Sequence, residues 1–243
     1  MRTIKMLIEC IFDPKMLLAC MLWPRFSFTS YKMLKALKLY DLEPDYILDV
    51  GANVGQFAIA AANTFPDASI VSFEPNPACA SAWDKITQRY PNISLQGVAL
   101  GQAIGELPFN INSHSHASSL LELADEHKQA FPDALVEKTI TVPVRRLSEF
   151  IGSEMKDKAV LLKLDVQGYE KSVLEGCMDK LDCINYICIE LSFVKMYEGE
   201  FEFYEAINFM HEHGFRALGV LSSLSSQTEN KTLQMDLLFG RIV

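Results

Sequence analysis

The chain has 243 residues, of which 49% are hydrophobic and 22% charged. That is enough for one α/β domain with a sizeable core, and no stretch pairs low hydrophobicity with high charge as a disordered segment does. A formal net charge of −9 without a basic stripe argues against a nucleic-acid partner, and the densest basic run, Lys32, Lys35 and Lys38, has the spacing of a solvated helix face.

In chain order, residues 16–23 are apolar but fall short of the roughly 20 residues that span a bilayer. Asp13 and Pro14 interrupt the region upstream, a poor fit to a secretory signal. Residues 1–44 read as an N-terminal helical segment packed on the domain. Its basic amphipathic character leaves peripheral membrane contact open, without a transmembrane segment. The domain proper runs over 45–243. Tyr46–Val50 reads as a buried strand, 54–64 as an alanine-rich helix, 68–73 as a strand, 77–89 as a helix with Pro77 in its first turn, and 93–100 as a third strand. Strands separated by helices of this size imply βαβ units and a doubly wound, mostly parallel sheet.

The middle breaks the alternation. Residues 104–111 and 139–144 read as extra strands, with a polar segment from His114 to Ser119 and a charged helix around 120–130 between them. The 102–145 region reads as an insertion over the acceptor site, a usual location for substrate-binding loops. The alternation resumes with a covered strand at 159–165, a short helix at 168–176, a strand at 185–191 and a helix at 201–213. Strands at 215–220 and 235–243 follow, joined by a connection too short for a packed helix, which makes them a terminal antiparallel pair. None of the six cysteines forms a C-x-x-C pair, which fits a reduced, cytoplasmic protein.

Three motifs carry chemistry. Asp49-Val50-Gly51-Ala52-Asn53-Val54-Gly55 follows the first strand and opens the first helix. Its glycines allow a tight turn and close backbone approach, and the helix start offers N–H groups to an anionic group. Glu74-Pro75 ends the second strand about 20 residues on, the position from which an acid bonds ribose hydroxyls. The loop lacks the G-x-G-x-x-G arrangement that seats a pyrophosphate, so a single adenosyl ligand fits better than a nicotinamide dinucleotide. The alternatives are a nicotinamide-dependent oxidoreductase and a non-catalytic partner protein that keeps the fold. Third, Lys163-Leu164-Asp165-Val166-Gln167-Gly168-Tyr169-Glu170 places Asp165 at the carboxyl end of a central strand, where open α/β sheets bind ligands.

Asp165 is the first choice of catalytic base and His116 the second. A helix cap is the plain alternative for Asp165, and a solvated loop residue for His116. Glu190, an acid among apolar residues, reads equally as a site residue or as a partner of Lys163 or Arg216. Ser118 and Ser119 are candidates for hydroxyl contacts to a substrate. His114 and His116 lack a third ligand, so no metal is expected.

These motifs, with V-A-L-G at 98–101, resemble the FkbM-type methyltransferases over about four-fifths of the chain, from Ile47 onward. The resemblance implies a class I, Rossmann-like methyltransferase fold with a seven-stranded sheet ending in an antiparallel hairpin. It implies S-adenosylmethionine as cofactor and O-methylation of a sugar, glycan or small natural-product hydroxyl. It assigns cofactor contacts to Asp49, Gly51, Ala52, Asn53, Gly55, Glu74 and Pro75, and puts Ala99 beside the adenine. The family often carries glutamate where this chain has Gln167, so a base role there would pass to Asp165 or a histidine.

Overall fold

The computed structural model describes residues 14, 18, 27–131, 133–226 and 231–242. The reading of the first 26 residues, and the membrane contact it leaves open, lies outside the described residues apart from helical positions 14 and 18.

Helix α1 (Phe28–Leu37) starts at Ser27, whose hydroxyl accepts the Ser30 N–H at 3.1 Å, an N-cap that meets one of the orphan donors of the first turn. Strand β1 (Tyr46–Val50) is followed by helix α2 (Gln56–Thr64), strand β2 (Ser69–Phe73), a 3₁₀ turn at Pro77–Cys79, helix α3 (Ala80–Arg89) and strand β3 (Ile93–Gln96). Two-residue strand β4 (Ala99–Leu100), β5 (Gly105–Asn112), helix α4 (Asp125–Ala130) and β6 (Val136–Arg145) form the middle section. The chain ends with β7 (Val160–Leu164), α5 (Glu170–Glu175), β8 (Tyr186–Ser192), α6 (Phe203–Glu212), β9 (Phe215–Ser225) and β10 (Thr232–Arg241).

Seven strands form one sheet in the order β3-β2-β1-β7-β8-β10-β9, parallel up to β8, with β10 antiparallel to both neighbours. The terminal antiparallel pair is therefore present, and longer than its sequence pattern indicates. Strand alternation sorts side chains into two cores. Ile47 and Leu161 face a layer of α1, α2 and α3, whereas Leu48, Leu162 and Leu164 face α5 and α6. A parallel sheet covered on both faces is the expected outcome for strands this apolar.

The predicted third strand over 93–100 does not run through. It divides at Gly97–Val98: β3 stays on the main sheet, while β4 leaves it to pair with β6. The extra strands of the middle section complete a separate three-stranded sheet, β4-β6-β5, around Ala99, Phe109, Val142 and Val144. The charged helix there is one short stretch, 125–130. Strand order reverses between β1 and β7, so a crevice opens beyond their carboxyl ends, the topological switch point of an open α/β sheet.

Candidate active site

The glycine loop is shaped by the crossing of two strand ends. A Cβ on Gly51 would lie 1.8 Å from the Asp165 carbonyl oxygen, and its φ is +80°. Only glycine fits that approach. Asn53 follows with φ +46° and Gly55 with +79°. The Asn53 carbonyl accepts the Trp83 indole N–H at 2.7 Å, and its backbone N–H donates to Glu74 Oε2 at 2.7 Å. Glu74 Oε1 accepts the Asn76 N–H at 2.8 Å. Burial pushes the Glu74 carboxyl up to about 7 against these two hydrogen bonds.

Beneath the loop, Lys163 Nζ stands 3.6 Å from Asp49 Oδ1, 3.2 Å from Asp165 Oδ2 and 3.4 Å from the Gly51 carbonyl. Burial opposes the ammonium charge, but Asp165 and Asp49 outweigh it and hold the group charged. A buried lysine is retained only with such partners.

The segment after Asp165 is a tight turn. Gln167 and Gly168 both take left-handed backbone, at φ +58° and +96°. Glu170 Oε1 closes the turn by accepting the N–H groups of Val166 at 3.0 Å and Gly168 at 3.2 Å. Gln167 thereby points its amide between two acids. Its Nε2 donates to Asp165 Oδ1 at 2.6 Å and to Glu190 Oε2 at 2.8 Å, while its Oε1 accepts the Tyr197 hydroxyl at 2.7 Å. Both polar ends of the amide are satisfied, as a buried network requires.

These elements enclose a cavity of about 760 Å³ at the switch point, within the usual range for small-molecule sites. Gly51, Ala52, Asn53, Glu74, Pro75 and Ala99 line it, as do Asp165, His116, Ser118 and Glu190. Two expected contact residues do not. Asp49 is fully buried behind the loop, between Lys163 and the Ser72 hydroxyl at 3.2 Å. Gly55 faces α3, where a Cβ would meet Ile86 at 2.3 Å and the Trp83 ring at 3.3 Å. Ser119 also departs from its expected role, because its hydroxyl donates to the Gln167 carbonyl at 2.8 Å and steadies the turn. His116 is exposed on a 3₁₀ turn at the rim and makes no hydrogen bond to Asp165. Glu190 pairs with neither Lys163 nor Arg216; its hydrogen-bond partner is Gln167.

The sequence reading missed three contributors. Helix α1 supplies a wall of the cavity through Phe28, Ser30 and Met33. Asp236, an acid inside the apolar run Met235-Asp236-Leu237-Leu238, faces the same cavity from β10, a signal of the kind that singled out Glu190. Nothing in the sequence marks Tyr197.

A family profile described as "Methyltransferase FkbM domain" matches residues 49–217, which include the glycine loop, Glu74 and the whole Lys163–Glu170 turn. The chain belongs to the FkbM methyltransferase family. It is an S-adenosylmethionine-dependent methyltransferase on the class I, Rossmann-like fold. Among curated relatives, Methyltransferase 1 of Beauveria bassiana is 32% identical over 63% of this chain and 69% of its own length. The hexuronic acid methyltransferase AglP of Haloferax volcanii is 27% identical over 61% of this chain and 56% of its own. The crystal structure of methyltransferase FkbM from Methylobacillus flagellatus KT has the same fold, with a TM-score of 0.52 at 12% identity; the match covers 80% of this chain and 44% of that one.

Proposed function

We propose that this FkbM-family member methylates a hydroxyl oxygen on a sugar, a glycan or a hydroxylated natural product. The observation that carries the reading is one cavity lined by the glycine loop and Glu74 together with Asp165 and Glu190. When bound, S-adenosylmethionine supplies a methyl group on a cationic sulfur. The residues present fit it. Gly51, Ala52 and Asn53 line the cavity, with the loop held by N–H bonds to the Phe73 carbonyl and Glu74, and Glu74 offers acceptor oxygens at the tip of β2 for ribose hydroxyls. Pro75 and Ala99 give a small apolar wall for the adenine, and the acids around Asp165 suit a cationic centre.

Asp49 acts at one remove, by holding Lys163 and through it Asp165. Asp165 faces the acceptor end, and His116 stands at the rim. Alignment of acceptor oxygen, carbon and sulfur can supply on the order of 7–11 kcal/mol of the barrier. The wall also carries Ser30, Ser118 and Ser222, and the relative in H. volcanii is named for a hexuronic acid, an acceptor rich in hydroxyl groups.

The test is incubation of the protein with methyl-deuterated S-adenosylmethionine and a panel of hexuronic acids, neutral glycosides and polyols. Product masses carrying the label, with carbon shifts of a methyl ether, support the reading. Label appearing only on amines or carboxyl groups overturns the hydroxyl assignment.

A further inference from the structure

The acids Asp165, Asp236 and Glu190 on the cavity wall differ in what holds them. Asp165 has both oxygens engaged, Oδ1 with the Gln167 amide at 2.6 Å and Oδ2 with the Lys163 ammonium at 3.2 Å. Asp236 accepts the Ser222 hydroxyl on Oδ2 and has no partner on Oδ1 among the described residues, which makes it the rival to Glu190. Glu190 lies opposite Asp236 in the β8–β10 ladder and gives only Oε2, to Gln167 at 2.8 Å; its Oε1 has no partner among the described residues. The side chain lines the cavity. The same Gln167 nitrogen reaches Asp165 and Glu190, so one amide holds the two carboxyl groups side by side.

A carboxylate locked to an ammonium is a poor proton acceptor, whereas one with a free oxygen at a cavity wall is a good one. We propose that Glu190 is the catalytic base that takes the acceptor's hydroxyl proton, and that Gln167 is the positioning residue that holds it. This rests on the methyl-transfer reading above. In the step, the acceptor oxygen bonds to the methyl carbon and the carbon–sulfur bond breaks with its electron pair left on sulfur. The hydroxyl proton passes to Glu190 Oε1.

The surroundings supply a means of arming the base. Glu190 is faced by Asp165 and Lys163 from β7 and its end, Asp236 from β10, Glu170 from α5 and the Tyr197 hydroxyl from the loop after β8, with Cys188 on its own strand. Burial first, then the neighbouring acids, raise its carboxyl well above the ordinary range, so the group is protonated in the free protein at higher pH than an exposed glutamate. A cation arriving beside it favours loss of that proton.

S-Adenosylmethionine carries that cation and S-adenosylhomocysteine does not. Calorimetric titration of the full chain with each, in buffers of different ionisation enthalpy over roughly pH 5 to 8, counts the protons released. The expected result is release of about one proton with S-adenosylmethionine beyond that with S-adenosylhomocysteine. The excess is lost in Glu190→Gln and kept in Asp236→Asn, with S-adenosylhomocysteine affinity intact in both. Gln167→Asn keeps a residue that tolerates left-handed backbone but withdraws the amide, which favours the charged carboxylate, so the release moves to higher pH. A purely structural role for Gln167 would weaken binding and leave that pH range in place.

No excess in the wild type, or an excess that survives Glu190→Gln, overturns the proposal, and its loss in Asp236→Asn instead assigns the proton to Asp236. Binding of neither ligand removes the methyl-donor reading and the proposal with it. If Glu190→Gln does not fold, infrared difference spectra of wild-type protein labelled with ¹³C-glutamate decide the matter. Loss of a labelled protonated-carboxyl band with S-adenosylmethionine alone supports it, and an unchanged band contradicts it.

Discussion

Glu74 at the tip of β2 accepts the backbone N–H of Asn53 at 2.7 Å, across 21 residues of chain, so the acid placed to hold a ribose also holds the glycine loop in shape. Replacing Glu74 therefore affects two things at once. Glu74→Gln keeps one acceptor oxygen but turns an amide donor toward a backbone donor. S-Adenosylhomocysteine affinity should fall roughly 10- to 100-fold, the loss expected for one hydrogen bond to a charged group. Calorimetric titration measures it; unchanged affinity would remove Glu74 from the site.

Gly51 is the most constrained position of the loop. Gly51→Ala places a methyl group 1.8 Å from the Asp165 carbonyl oxygen on backbone with φ +80°, and neither backbone segment can yield without moving a strand end. The cost should be on the order of 3 kcal/mol, combining left-handed strain with displacement of the β7 tip. Gly97→Ala is the control, because a Cβ there meets nothing within 4 Å. Urea unfolding should separate the two variants clearly; equal midpoints would contradict the close crossing of β1 and β7.

Much of this frame was legible beforehand. Tyr46–Val50, the loop after it and Glu74 announce themselves through an apolar run, two glycines and an acid at the right interval. These are local signals that depend on neighbours within a few residues. The break at Gly97–Val98 was not legible, because an apolar stretch continues through it and only pairing with β6 shows where the chain leaves the main sheet. Site geometry was legible to the level of residue type. Asp165 stood out, but that Lys163 and Gln167 occupy both its oxygens depends on side chains brought together by the turn. The pairing of Gln167 with Tyr197, 30 residues away, leaves no trace in spacing. Gly55 and Asp49 look like ligand contacts in the motif, and their actual neighbours, α3 and Lys163, become visible only when the layers pack.

Tyr197→Phe removes the hydroxyl that Gln167 Oε1 accepts at 2.7 Å and leaves a half-buried carbonyl oxygen without its donor. The expected loss is about 1–3 kcal/mol of stability. Thermal and urea unfolding measure it. A variant as stable as wild type would show that the Gln167 network is not held from that side.

The pH dependence has a definite sign. Burial pushes Glu170 up to about 7, above its unfolded value of 4.5, despite the backbone hydrogen bonds it accepts. The folded chain therefore binds more protons at this group than the unfolded chain does. The associated stability is full below about pH 4.5 and is lost as pH rises through about 7. Glu170→Gln can keep the bonds to Val166 and Gly168, both made to one oxygen, while removing the titration. Relative to wild type it should gain on the order of 3 kcal/mol as pH is raised through that window. Unfolding curves at several pH values test it, and a difference independent of pH would refute the shift.

The central claim is that the crevice between β1 and β7 holds an adenosyl methyl donor. Calorimetric titration of the purified protein with S-adenosylhomocysteine and, separately, with NADH addresses it most directly. Micromolar binding of the first and none of the second is the predicted result. Binding of NADH alone would contradict it and point to dinucleotide chemistry in the same crevice.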